Sequence, residues 1–197
     1  MPSEVHESHM TWVKDVMGQW LQQGTLTFPE YRHLKLLASP RQRFTQGPYS
    51  GSIKEPDACM RPDNLVRPTF VVEAGWSEPR RELLDDMNLW LVGGNGEVNA
   101  VLILDWRRIG TSNRVEGVAD LYVRDRQGML ICQQREQIFP APNPQQAANQ
   151  AIHVTRRVLF GPTVSQGRNP REVLNMSVDF LRSSGREQMS LMGLVPA

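Results

Sequence analysis

The chain has 197 residues, of which 40% are hydrophobic and 22% charged, enough for one substantial core and incompatible with collagen-like, mucin-like or largely disordered classes. Basic and acidic side chains nearly cancel, at 22 against 21, so the net charge of +1 provides no global electrostatic footprint for nucleic acid. No stretch approaches the roughly 18 apolar residues that a membrane-spanning helix needs.

Only Lys14, Lys35 and Lys54 are lysines; every other basic residue is arginine. Arginine suits phosphate and carboxylate recognition, and genomic compositional bias produces the same excess. Cys59 and Cys132 are too few and too far apart for a disulfide framework or a zinc site, so both are expected as buried free thiols. The N-terminus has no basic segment followed by an apolar one, which points away from a secretory signal and toward a reducing compartment, cytoplasm or nucleus.

In chain order, residues 4–23 are expected to form a helix. Ser3 caps it, Glu4 and Glu7 sit in the first turn, and Val5, Met10, Trp12, Val13, Val16, Met17, Trp20 and Leu21 form an apolar stripe that ends at Gly24. Residues 31–37 read equally well as a short helix or a strand. Residues 40–52, rich in Gly, Pro, Ser and Gln, read as a loop. A strand begins or bends at Pro56-Asp57-Ala58-Cys59, a polar turn covers residues 61–68, and residues 69–74 form a buried strand that Gly75 breaks.

Ser77 or Glu78 is expected to cap a second helix, with Pro79 at its first position and an end near Leu91. Gly93-Gly94-Asn95-Gly96 closes that helix, and residues 98–105 form a second buried strand, together a right-handed βαβ unit. Residues 115–124 and 129–139 flank a hairpin turn, Asp125-Arg126-Gln127-Gly128. A loop over 140–150 and a strand over 153–160 lead to a last helix capped by Asn169 and opened by Pro170, with Val173, Leu174, Met176, Val178, Phe180 and Leu181 on its apolar side. The single domain is expected to span residues 1–183, with 184–197 as a frayed tail.

Two common catalytic signals fall away. The glycine cluster at 93–96 follows a helix, whereas a phosphate cradle opens one. His6, His9, His33 and His153 lack zinc-ligand pairing, His6 and His9 are expected at the surface, and there is no Gly-x-Ser-x-Gly elbow. What remains is a carboxylate, Glu73, near the end of a buried strand, a costly placement unless it is paired, protonated or metal-bound. Asp57 lies one turn earlier, where adjacent antiparallel strands would set the two carboxylates side by side. Two hard oxygen ligands suit Mg²⁺ or Mn²⁺; the alternative is that Glu73 pairs with Arg80, Arg81 or backbone amides.

Ser52-Ile53-Lys54-Glu55-Pro56-Asp57, followed by Pro68-Thr69-Phe70-Val71-Val72-Glu73-Ala74-Gly75-Trp76-Ser77-Glu78, resembles the PD-(D/E)XK superfamily, in particular its small single-domain members found in bacteria and fungi. The resemblance implies an α/β fold of α+β type: a central mixed β-sheet flanked by helices, with a restriction-endonuclease-like αβββαβ core. It also implies metal-dependent phosphodiester hydrolysis of DNA with Mg²⁺ or Mn²⁺. Asp57 matches the first metal-binding acid and Glu73 the second, while Glu7, or failing that Glu4, matches the acid of the first helix. The family's lysine falls on Gly75, so a cation must come from Lys54, Arg80 or Arg81 if the protein is catalytic. Without one, the resemblance implies an inactive nuclease-fold protein serving as a protein- or nucleic-acid-interaction module. DNA and a second copy of the chain are the candidate partners; a membrane is not.

Overall fold

The computed structural model describes residues 8–76 and 78–197; Ser3, Glu4, His6, Glu7 and Ser77, which carry several of the expectations above, lie outside them. The first helix, α1 (Ser8–Gln22), buries Trp12, Val13, Val16, Met17 and Trp20, the three-and-four spacing that places side chains on one face. The indole N–H groups of Trp12 and Trp20 donate to the backbone carbonyls of Ser177 and Asn175 at 2.7 and 2.9 Å, so the helix is tied by polar contacts as well as packing. His9 is buried rather than at the surface, because the face it occupies is the one turned to the core.

Residues 31–37 divide between two elements. A capping box opens α2 (Phe28–His33): the Thr27 hydroxyl accepts the Glu30 N–H and the Glu30 carboxylate accepts the Thr27 N–H. The chain then extends into β1 (Leu34–Leu37). Inside the segment read as a loop, β2 (Gln42–Arg43) pairs with β3 (Ile53–Lys54). There follow β4 (Ala58–Pro62), β5 (Phe70–Trp76), α3 (Arg80–Gly93), β6 (Ala100–Arg108), β7 (Arg114–Arg124) and β8 (Leu130–Phe139). Beyond these come α4 (Pro144–Asn149), β9 (Ala151–Thr155), α5 (Arg156–Phe160), β10 (Val173–Ser177), α6 (Val178–Leu191) and β11 (Val195–Pro196).

The main sheet has seven strands, in the order β1-β4-β5-β6-β7-β11, with β8 also on β7. Its neighbours are antiparallel except for β5 with β6 and β11 with β7, which run parallel. A separate ribbon joins β9 to β10. The fold is therefore mixed α/β, a mixed sheet flanked by helices. Strand alternation in β5 splits the interior in two: Phe70, Val72 and Ala74 join the larger core with α1 and α6, while Val71 faces the smaller one with Leu83, Met87 and Trp90 of α3. Among the described residues no helix is long and apolar enough to cross a membrane.

Several boundaries differ from expectation, each for a local reason. Gly75 does not break β5, which continues to Trp76 opposite Trp106. Instead the missing side chain admits α3, since a Cβ on Gly75 would lie 2.8 Å from Leu83 Cδ1. Pro79 is the N-cap of α3 rather than its first residue, and the helix runs to Gly93. The 140–150 loop contains α4, capped by Asn143. Residues 153–160 change from strand to helix at Thr155, whose hydroxyl accepts the Val158 N–H.

The last helix is displaced. Asn169 and Pro170 lead into β10, where Leu174 and Met176 alternate inward against Val154 and Ile152. The helix begins at Val178 and continues through Ser183 to Leu191, so residues expected to fray are helical and are followed by buried Leu194 and β11. Cys59 is buried as expected, whereas Cys132 is exposed, on a stretch of β8 where residues 131–133 are all exposed. Burial pushes the Cys59 thiol up to about 12, leaving it unreactive.

A buried ion network ties the N-terminal and C-terminal halves together. Arg156 donates to Glu30 Oε1 at 2.6 Å and to Glu172 Oε2 at 2.9 Å, and Arg168 donates to Glu30 Oε2 at 2.9 Å. Burial raises the Glu30 carboxyl, but the bonds from Arg168 and Thr27 and the charge of Arg156 outweigh it and hold the group at about 2.

Candidate functional site

The β4–β5 register sets Ala58 opposite Val72, so Asp57, one residue before β4, stands level with Glu73. Asp57 Oδ2 accepts the backbone N–H of Ala74 at 2.7 Å, which ties the chain before β4 to the neighbouring strand. Glu73 shares the odd-numbered face of β5 with Val71 and is only 3% exposed. Its Oε1 accepts the indole N–H of Trp90, which α3 lays across that face. Burial, then the facing Asp57 carboxylate, pushes the Glu73 carboxyl well above its usual range, against the opposing pull of Lys54 and the Trp90 bond.

Lys54 enters from β3. Its ammonium donates to Asp86 Oδ2 of α3 at 2.5 Å. Burial alone would lower its pKa, but the facing charges of Glu73, Asp86 and Asp57 raise it, so the side chain stays a cation. Both Lys54 and Asp86 are partly exposed, giving the cluster a face to solvent. Lys54, Asp57, Glu73 and Asp86 thus form one electrostatic unit at the edge of α3, drawn from four segments of chain.

The donor set fits a hard divalent cation in part. Asp57 and Glu73 are adjacent carboxylates, each oriented by an N–H donor in the way outer-shell bonds orient metal ligands. Such a pair suits Mg²⁺ or Mn²⁺, with water and phosphate oxygens completing the coordination. Among the described residues no group of three His, Cys, Asp or Glu is placed to hold a metal, and Glu7, the expected third acid, lies outside them.

Arg80 is committed elsewhere. It donates to Asp105 Oδ2 at 3.2 Å, to Asp120 Oδ2 and to Tyr122 Oη at 3.3 Å. Both carboxylates also take bidentate arginines, Arg107 on Asp105 and Arg135 on Asp120; burial pushes the Asp120 pKa up, but Arg135 and Arg80 outweigh it and lower it. Arg80 therefore anchors the start of α3 to β6 and β7, where Pro79 supplies no side-chain cap. Arg81 is 90% exposed, with Asp85 at 3.8 Å. Of the cations expected from the sequence, Lys54 is the one whose charge couples to both Asp57 and Glu73.

Four residues of this region carry signals that were not singled out in the sequence. Asp86 and Trp90 lie four apart on α3, the spacing of one helix face. Asp105 and Asp120 are carboxylates within apolar strands, the same signal that marks Glu73. No protein-family model matches the chain, and no curated protein is significantly similar to it.

Proposed function

We propose that Lys54, Asp57 and Glu73 form a metal-dependent phosphodiesterase centre of the PD-(D/E)XK type, acting on DNA. The observation that carries the reading is the juxtaposition of Asp57 and Glu73 across the β4–β5 register, with the Lys54 ammonium held by Asp86 on the same helix whose Trp90 bonds Glu73. The element order α1, β1, β4, β5, α3, β6 supports it, since setting aside α2 and the small β2–β3 hairpin it follows the αβββαβ pattern of that superfamily.

Held by the two carboxylates, Mg²⁺ or Mn²⁺ would polarise the scissile phosphate and lower the pKa of a bound water. The protein's own contribution is orientation and charge. The Ala74 N–H and the Trp90 indole fix the carboxylates, and Asp86 holds the Lys54 ammonium beside the place where negative charge develops on the phosphate.

Cleavage of single- and double-stranded DNA with Mg²⁺ and Mn²⁺ tests the reading. Lys54→Met is expected to lower the rate by about two to three orders of magnitude, the scale for losing one transition-state charge stabiliser. Equal background activity in wild type and Glu73→Gln would eliminate the proposal. The deep burial of Glu73 favours a second reading, an inactive nuclease-fold module that binds a partner. Tight, stoichiometric Mn²⁺ binding by calorimetry that disappears in Asp57→Ala would count against this second reading.

A further inference from the structure

A separate constellation lies where the end of α2 meets the turn after β4 and the 3-10 turn Gly161–Thr163. His33 Nδ1 is 2.5 Å from Asp63 Oδ1, and its other nitrogen, Nε2, is 3.2 Å from Thr163 Oγ1. The Asp63 backbone N–H donates to the His33 carbonyl at 2.8 Å, so the two residues are joined through main chain and side chain alike. The imidazole stacks on Phe160, with ring centroids 6.2 Å apart and planes at 14°. His33 and Thr163 both line an open cleft of about 670 Å³, together with Pro29, Asn64, Pro162 and Val164.

The order of groups is acid, imidazole, hydroxyl. With the Nδ1 proton donated to Asp63, the neutral imidazole presents its Nε2 lone pair to Thr163, the arrangement by which a hydroxyl is made nucleophilic. The Thr163 hydroxyl also lies 2.7 Å from the Phe160 carbonyl, to which it donates. Rotation about the C–O bond redirects that proton to Nε2 without moving a heavy atom. Glu30, the acid that lines the same cleft, is taken up by Arg156, Arg168 and Thr27 and leaves the base role to His33.

We propose that Asp63, His33 and Thr163 form a nucleophilic triad that accepts the acyl group of an activated ester and passes it to water. Thr163 Oγ1 bonds to the carbonyl carbon as its proton moves to His33 Nε2. The ester C–O bond then breaks, and the departing alcohol takes that proton. Water adds to the acyl-threonine and gives a proton to Nε2, and the bond to Oγ1 breaks as that proton returns to Thr163. Asn64, beside the triad in the cleft, is the side-chain amide available to the developing oxyanion. A cleft of mixed proline, valine and amide lining suits a short acyl chain. This chemistry uses no metal and is independent of the Lys54 cluster.

The test uses the full-length chain with p-nitrophenyl acetate in the presence of EDTA, following nitrophenolate release and acetylation of the Thr163 peptide by mass spectrometry. The expected result is acetyl on Thr163, lost in Thr163→Val and formed at least about 100-fold more slowly in His33→Gln, the lower range for removing a general base. Thr163→Ser retains a hydroxyl for both Phe160 and His33 and is expected to label at least as fast as wild type. Melting curves establish that each variant is folded. Acetyl found only at other residues, labelling of Thr163 that His33→Gln leaves unchanged, or loss of labelling with EDTA would each overturn the proposal.

Discussion

At Gly75 a side chain and a helix compete for the same space. A Cβ there would meet Leu83 Cδ1 at 2.8 Å, so this position, without a side chain, is a packing contact of α3. Gly75→Ala is expected to destabilise by about 1–3 kcal/mol, the cost of overpacking, and Leu83→Ala in the same chain to recover part of the loss. Urea denaturation of the two variants and their double mutant measures this; additive losses would show that the contact does not matter. At Glu30 the relevant variable is pH. Its carboxyl is held at about 2 when folded, against 4.5 for the free group. The folded state thus binds the proton less readily, and the network's contribution is fully present above 4.5 and lost as pH falls toward 2. That contribution is on the order of 3 kcal/mol at neutral pH. Melting temperatures of wild type and Glu30→Gln are expected to differ most at neutral pH, with a gap that narrows as pH falls from 4.5 toward 2. A gap as wide at pH 2.5 as at pH 7 would place the stabilisation in packing instead.

At the scale of elements, β5 is the strand on which both cores depend. Val72 is fully buried against the α1 side, while its neighbour Glu73 faces α3. Val72→Asp introduces an unpaired carboxylate into the larger core and is expected to cost several kcal/mol, on the order of a small domain's whole stability. Glu73→Ala removes one bond from Trp90 and relieves a buried acid, and is expected to leave the protein folded. Circular dichroism melts distinguish the two, and similar melting temperatures would contradict the two-faced environment of β5. The β5–α3–β6 unit, the β7–β8 hairpin and the Asp57/Glu73 juxtaposition were all legible, because each rests on local alternation bounded by turn residues. The displaced last helix was not. Leu174 and Met176 fit a helical stripe or an alternating strand equally well, and pairing with β9, across the intervening α5 and loop, decides between them.

At the scale of the whole molecule, the C-terminal segment closes the structure. Leu194 is buried and β11 adds to the sheet alongside the start of β7, while buried Arg182 of α6 donates to the carbonyls of Gln137, Ile138 and Ala147. Deleting residues 193–197 removes Leu194 and the β11 pairing and is expected to lower the melting temperature by several degrees, at about 2–4 °C per kcal/mol for a chain of this size. An unchanged melting temperature would show that the segment is dispensable.

The sequence by itself determined the mixed α/β class, the apolar stripe of α1, the strand that carries Glu73 and the shortlist of acids and cations, since each of these follows from side-chain periodicity or from the cost of burying a charge. Only the tertiary structure decided which cation meets which acid. Arg80 turns to Asp105 and Asp120 on strands that come later in the chain, and Lys54 pairs with Asp86 of α3, within the electrostatic influence of Glu73 and Asp57. Likewise His33, Asp63 and Thr163 are unremarkable along the chain and meet only where the end of α2, the turn after β4 and the Gly161–Thr163 turn converge. Pairing between distant segments depends on the sheet order and on the helix laid across it, and these are properties of the folded chain rather than of any local window.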